Sequence, residues 1–171
     1  LRDRIPEVTG IDTDRAVLEG AKRDHAGITW IHGDVMICDL DGPFDVVASV
    51  ATLHHLPDLD SALARLAELT APGGVLAVVG LARTTRPTEA LVHLAGMVQH
   101  RWYARRHGYW EHTAPTAWPP RHSFTTVRTS AQRILTGAQW QLLSLWRYLV
   151  TWQKPQRQTL WPVPRTSRAA R

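Results

Sequence analysis

Two carboxylates and a pair of histidines stand where short apolar segments end. Asp12 follows Glu7 to Ile11, and Asp34 follows Ile28 to His32 in the triplet Gly33-Asp34-Val35. The run FDVVASV, Phe44 to Val50, leads through Ala51-Thr52-Leu53 into His54-His55. A carboxylate at a strand end can accept hydrogen bonds from two neighbouring hydroxyls, and its charge makes such bonds strong. An unperturbed imidazole titrates near pH ~6.5, so a histidine here is suited to take a proton at working pH. Each residue also has a plainer reading. Asp12 can cap a helix, Asp34 can serve a turn, and either histidine can cap or pack the next helix.

The elements that must hold these residues follow from periodicity. The first half alternates short β-rich runs with helical patterns, the mark of βαβ units and a parallel sheet. Strands are expected at Glu7–Ile11, Ile28–His32, Phe44–Val50 and Val75–Leu81. The near-continuous apolar run from Phe44 predicts a strand buried on both faces. A helix is expected over Asp14–Asp24, capped by Thr13 or Asp14, with Ala16, Val17, Leu18 and Ala21 inward. A second helix, capped by Asp58 or Asp60, runs to Thr70 with Leu63, Leu66 and Leu69 on one stripe. Pro72-Gly73-Gly74 is expected to stop it.

The second half reads differently. Thr85–Tyr109 is expected to be helical, with Leu91, Leu94, Ala95 and Val98 inward, and Trp110–Pro120 to be a loop. Thr125–Leu135 predicts another helix, with Val127, Ala131, Ile134 and Leu135 inward. Trp140–Trp146 and Tyr148–Trp152 predict an antiparallel strand pair. Residues 156–171 are polar and rich in proline and arginine, which predicts a disordered basic tail.

The order of four signals is more informative than any one of them: Asp12 ending a strand, the GDV acid Asp34, FDVVASVATLHHL, and TAPGGVLAVVG. This series resembles the class I S-adenosylmethionine (SAM)-dependent methyltransferases, in the branch of ubiquinone/menaquinone-biosynthesis and similar small-molecule enzymes. The resemblance covers residues 5–82 well and 123–155 loosely. It implies a Rossmann-like α/β three-layer sandwich, mostly parallel, with a C-terminal antiparallel strand pair and family strand order 3-2-1-4-5-7-6. It gives Asp12, with Thr13, to the ribose hydroxyls of the cofactor. Asp34 then takes the adenine amine, the Val35 amide the ring nitrogen, and Met36 the flank of the base. Ser49 and Val50 lie beside the methionine part, and His54 and His55 near the reaction centre. Residues 84–122 fall where the family inserts its substrate cover. Their mixture of His, Arg and aromatic residues, including His93, His100, Arg101, Trp102 and Tyr103, suits an anionic or aromatic acceptor, or else a lid helix with a solvated basic face.

The family's first strand and its Gly-x-Gly-x-Gly loop precede the acid strand by about 20 residues. Only 11 residues precede Asp12, and none forms such a loop. The expectation is a methyltransferase domain over residues 1–155 lacking that strand and loop, which would hold the cofactor poorly by itself. A catalytically inactive remnant is the alternative of the same origin.

Composition sets the remaining bounds. The 171 residues are 44% hydrophobic and 20% charged, ordinary for one globular domain. Charge is uneven: residues 1–81 carry −7, residues 82–111 carry +3, and residues 112–171 hold nine bases and no acid. A basic half can serve nucleic acid, so a nucleic-acid-binding or RNA-modifying protein is a rival reading. Against it, the segment after Phe44–Val50 lacks the Asn/Asp-Pro-Pro-aromatic motif of base-amine methylation, and Lys22 and Lys154 are the only lysines. A nicotinamide dehydrogenase also ends a strand in an acid, but Asp34, LHHL and the PGG turn disfavour it. No cysteine or carboxylate accompanies the histidines of 84–122 at metal-ligand spacing, so no zinc site is expected. The single cysteine, Cys38, excludes an internal disulfide and is expected in the core. With no charged-then-apolar leader and no membrane-length apolar run, a cytoplasmic protein acting on a small molecule is expected.

Overall fold

The computed structural model describes residues 5–85, 90–107, 119–143 and 146–156. The expectations for most of the loop near 110–120 and for the tail from 157 lie outside these residues.

Strand β1 (Thr9–Asp12) pairs in parallel with β2 (Thr29–His32), Asp12 standing opposite His32. Helix α1 (Arg15–Asp24) joins them, and its N-cap is Asp14, whose carboxylate accepts from the Ala16 and Val17 amides at 2.8 and 3.2 Å. Only Leu18 of the expected inward set is buried; Val17 is 36% exposed and Ala16 lies in solvent. Two strands of four residues offer α1 too narrow a floor to cover more.

The second sheet has the order β3-β4-β6-β5, formed by β3 (Phe44–Val50), β4 (Thr70–Leu81), β6 (Arg147–Gln153) and β5 (Gln139–Leu142). Strand β3 runs parallel to β4, and β6 runs antiparallel to both its neighbours. The family order without its first strand leaves two groups, 3-2 and 4-5-7-6, and these are the two sheets observed. Strands β1 and β3 do not pair with each other. Each has one edge without a strand neighbour among the described residues.

That open edge corrects the expectation that β3 is buried on both faces. Val46 is 50% and Val50 66% exposed, and only Ser49 of the strand is buried. The core lies on the other side of β4. Helix α2 (Leu59–Leu69) and helix α4 (Phe124–Ile134) pack there, burying Leu59, Leu63, Leu66, Phe124, Val127, Ala131 and Leu135 with Leu76, Val78 and Val150. Each such aliphatic side chain contributes about 1.5–3 kcal/mol relative to an exposed one. Asp58 caps α2, as one of two expected candidates, and Ser123 caps α4.

The PGG turn does not stop α2. The helix ends at Leu69, and β4 begins at Thr70, carrying Pro72-Gly73-Gly74 inside its ladder, where the register against β3 shifts. Gly73 has φ +82°, and a side chain at Gly74 would meet the Asp45 and Ala71 carbonyls at 2.8 and 2.9 Å. The glycines therefore serve this close approach of backbones rather than helix termination. Helix α3 (Ala90–His107) also departs from expectation: Leu94 and Val98 are 54% and 63% exposed. The helix instead turns Gly96 to the body, within 3.3 Å of the Trp146 ring for an added Cβ. Two residues are about 200° apart on a helix, so burying 96 exposes 94 and 98 together.

Candidate functional site

The parallel strands β1, β2, β3 and β4 present their carboxyl ends through Asp12, His32, Val50 and Leu81. Open α/β sheets bind ligands at this end. Asp12 accepts the Asp14 amide at 2.8 Å with one oxygen, and its other oxygen has no partner among the described residues. The helix-cap role belongs to Asp14. Thr13 offers its carbonyl to His32 Nε2 at 3.1 Å, tying the ends of β1 and β2 together.

Asp34 does serve a turn. Its side chain accepts the Met36 amide at 2.8 Å, and its carbonyl accepts those of Ile37 and Cys38 at 3.1 and 2.8 Å. This leaves the Val35 amide without an acceptor among the described residues, next to an exposed edge of the carboxylate turn. Asp34, Val35 and Met36 are all half-buried. Cys38 is also half-buried rather than a core residue, because the turn that carries it lies at the margin of the sheet.

At the end of β3, Ser49 is buried and Val50 exposed. Ala51 then adopts φ +55°, a left-handed conformation costing a non-glycine residue about 1–2 kcal/mol. It is pinned there by its amide bond to the Val79 carbonyl at 2.8 Å, and Thr52 Oγ1 donates to the Val50 carbonyl at 3.1 Å. A single helical turn follows at Leu53–His55. His54 is 6% exposed, and its Nδ1 is buried with no hydrogen-bond partner. His55 is exposed and lies 4.1 Å from it, ring centroid to ring centroid. Burial, then the neighbouring His55 charge, holds the His54 pKa below the usual imidazole value. His54 is therefore a neutral base at neutral pH. Neither histidine caps α2, since Asp58 does.

The chain places further residues that their sequence context did not reveal. Arg65, from the middle of α2, donates to the Val35 and Cys38 carbonyls at 3.1 and 2.8 Å. His122 Nε2 meets the Leu56 carbonyl at 3.2 Å, fastening the segment before α4 to the turn that follows His55. Trp146, at φ +58°, offers its carbonyl to Ala82 at the end of β4 and its ring to α3. A cluster formed by distant segments has no local periodicity to betray it. Arg65 alone had a signal, as the only lysine or arginine between Arg23 and Arg83.

A cavity of about 340 Å³, lined by Asp39, Pro43, Arg65, Glu68, Pro72 and Lys154, opens at the amino ends of β3 and β4. It lies at the opposite end of the strands from Asp12 and His54. On α3, Trp102 and Tyr103 meet edge to face at 5.0 Å, and Arg106 lies 4.8 Å from the Trp102 ring centre. His100 lies 6.4 Å from Trp146. No helix among the described residues is long and apolar enough to cross a membrane, and no group of His, Cys, Asp or Glu there could hold a metal ion.

Residues 1–78 match a family described as a methyltransferase domain. An uncharacterized methyltransferase of Mycobacterium tuberculosis (strain ATCC 25618 / H37Rv) is 41% identical over 158 residues, which cover 91% of this chain and 80% of that protein. The trans-aconitate 2-methyltransferase of Deinococcus radiodurans is 41% identical over 81 residues, 46% of this chain and 31% of that protein. Among solved structures, the N-methyltransferase NodS from Bradyrhizobium japonicum WM9, in complex with S-adenosyl-l-homocysteine, is similar at TM-score 0.53 and 20% identity, over 88% of this chain and 68% of that one. That last likeness is one of fold.

Proposed function

Because the chain belongs to the class I SAM-dependent methyltransferases, by 41% identity across 91% of its length, we propose that it serves methyl transfer to a small-molecule acceptor with the residues at the carboxyl ends of β1, β2 and β3. The cofactor is SAM. When bound, it supplies an electrophilic methyl group on a sulfonium.

The donor set suits that group. Asp12 has a carboxylate oxygen free to accept from a ribose hydroxyl, and its bond to Asp14 fixes the carboxylate plane. Asp34 and the Val35 amide present an acceptor beside a donor, the pairing that an exocyclic amine and an adjacent ring nitrogen require. Met36, held by Asp34, flanks the base, and Thr13 stands beside Asp12. Ser49 and Val50 line the methionine side, where the Ala51 kink turns the backbone away from the strand direction. His54 is the group that would take the acceptor's proton, and His55 stands against it. The protein's contribution to rate is then positioning and the exclusion of water.

What supports this reading is that Asp12 and Asp34 follow the parallel strands β1 and β2, and that a buried histidine with an unpartnered Nδ1 follows β3, each past the carboxyl end of its strand. A small-molecule acceptor is supported by the relative named trans-aconitate 2-methyltransferase, whose match covers 46% of this chain. The test is calorimetric titration of S-adenosylhomocysteine into the protein expressed from its complete reading frame. Binding that Asp12→Ala and Asp34→Ala both weaken supports the reading, and binding indifferent to both removes these residues from the site.

A further inference from the structure

Arg65, on α2, hydrogen-bonds to the turn that follows β2. Its Nε donates to the Val35 carbonyl at 3.1 Å and its Nη2 to the Cys38 carbonyl at 2.8 Å. The two carbonyls bracket one turn, in which Asp34 receives the Met36 amide on its side chain and the Ile37 and Cys38 amides on its carbonyl. The remaining Arg65 nitrogen lies 3.6 Å from Glu68, whose side chain is 70% exposed, so that ion pair adds little.

The chemistry of the side chain matters here. A guanidinium is planar, permanently charged and forked, so it can hold two acceptors at a fixed spacing, whereas an ammonium on a flexible stem cannot. The arginine is itself fixed, because α2 buries Leu63 and Leu66 on either side of it in sequence and is capped at its start by Asp58. Helix α2 also begins four residues after His55, with its cap Asp58 between them. One rigid element therefore carries the His54 turn at its head and the Arg65 fork at its middle.

We propose that Arg65 is a positioning residue, which clamps the Asp34–Cys38 turn to α2 and so sets the Asp12/Asp34 half of the cleft against the Ser49/His54 half. The proposal rests on the reading of Asp34 and Val35 as ligands of the adenine ring. Arg65 touches no reacting atom. It acts by holding the backbone of the turn that does the binding.

The experiment compares wild type, Arg65→Met and Arg65→Lys, each in the protein from its complete reading frame. Two quantities are read: hydrogen exchange at the Met36, Ile37 and Cys38 amides, and S-adenosylhomocysteine affinity by calorimetry. Arg65→Met should speed exchange at these amides and weaken affinity by about tenfold, the worth of one supporting hydrogen bond to a charged group. Arg65→Lys should restore neither in full, since one ammonium does not span both carbonyls. If Arg65→Met loses its cooperative thermal transition, Arg65→Lys carries the comparison. Unchanged exchange in the variant overturns the clamp. Faster exchange with unchanged affinity, in a protein whose wild type binds, overturns the positioning role and leaves a structural one. Full rescue by lysine overturns the fork. A wild type that binds no S-adenosylhomocysteine sinks the functional reading, while the exchange data still decide whether Arg65 holds the turn.

Discussion

Replacing Lys154 with methionine removes one ammonium and keeps most of the stem. In the folded chain Lys154 Nζ donates to the Ala67 and Thr70 carbonyls, each at 2.7 Å, and reaches the Glu68 carbonyl at 3.5 Å. These are carbonyls at the end of α2 and the start of β4, that of Ala67 also accepting the Thr70 amide, and α2 has no basic residue in its own last turn. The cap therefore comes from 84 and more residues away, off the end of β6. Hydrogen bonds from a charged donor contribute about 1.5–3 kcal/mol each as an upper bound. Lys154 is half-buried, so the freed carbonyls recover part of their hydration, and the helix-dipole contribution adds about 0.3–1 kcal/mol. The net loss should be about 2 kcal/mol. The Lys154 backbone bonds to Gly73 and Gly74 are untouched by the change. For a chain of this size about 2 kcal/mol corresponds to a fall in Tm of roughly 4–8 °C. Urea unfolding followed by circular dichroism reads the same quantity as a shift in midpoint at constant slope. A loss under about 0.5 kcal/mol would refute the reasoning, because it would place the bond in the class of exposed pairs.

Two further expectations follow from the same geometry. His54, held below the ordinary imidazole pKa by burial, binds its proton more weakly folded than unfolded. It therefore contributes stability that is present above pH ~6.5 and lost as pH falls below that value toward the folded pKa. His54→Gln should flatten the dependence of unfolding free energy on pH below about 6.5, and an identical slope would show that His54 is not the buried neutral group described. Gly80 faces Tyr148 across the β4–β6 ladder, and a methyl group there would overlap the phenol, which is 1% exposed and stacked 5.0 Å from Trp140. Gly80→Ala should cost about 1–3 kcal/mol in urea unfolding by overpacking, and a neutral result would mean that the Tyr148–Trp140 stack can slide.

The sequence carried the sheet more clearly than the packing. Strand ends at Asp12 and His32 were legible because period, turn residues and acids coincide there, and those at Val50 and Leu81 because a continuous apolar run stops. The strand order was legible only through family resemblance, since no pairing is local. Burial failed where context decides it. FDVVASV reads as a two-sided core strand, yet Val46 and Val50 are exposed on the edge of the second sheet. Leu94 and Val98 read as an inward stripe, but the small Gly96 is what lets α3 approach Trp146. The PGG turn reads as a helix stop, and its glycines are used for backbone contact between strands. At the site, the acids and histidines announced themselves by type and spacing. The partners of Arg65 and His122 did not, because each side chain acts on backbone carbonyls 27 to 66 residues distant. Such pairings leave no pattern in the chain.

The central claim is that the carboxylate of Asp12 holds the ribose of SAM. The most direct measurement is the S-adenosylhomocysteine affinity of the protein from its complete reading frame, with and without Asp12→Ala, by calorimetry. Losing charge-assisted hydrogen bonds of about 1–3 kcal/mol should weaken binding by roughly 5- to 150-fold. The Tm of the unliganded variant should stay within a few degrees of wild type, because Asp12 is exposed and its one internal bond is to the Asp14 amide. Equal affinity in the two proteins, with the fold intact, would contradict the account.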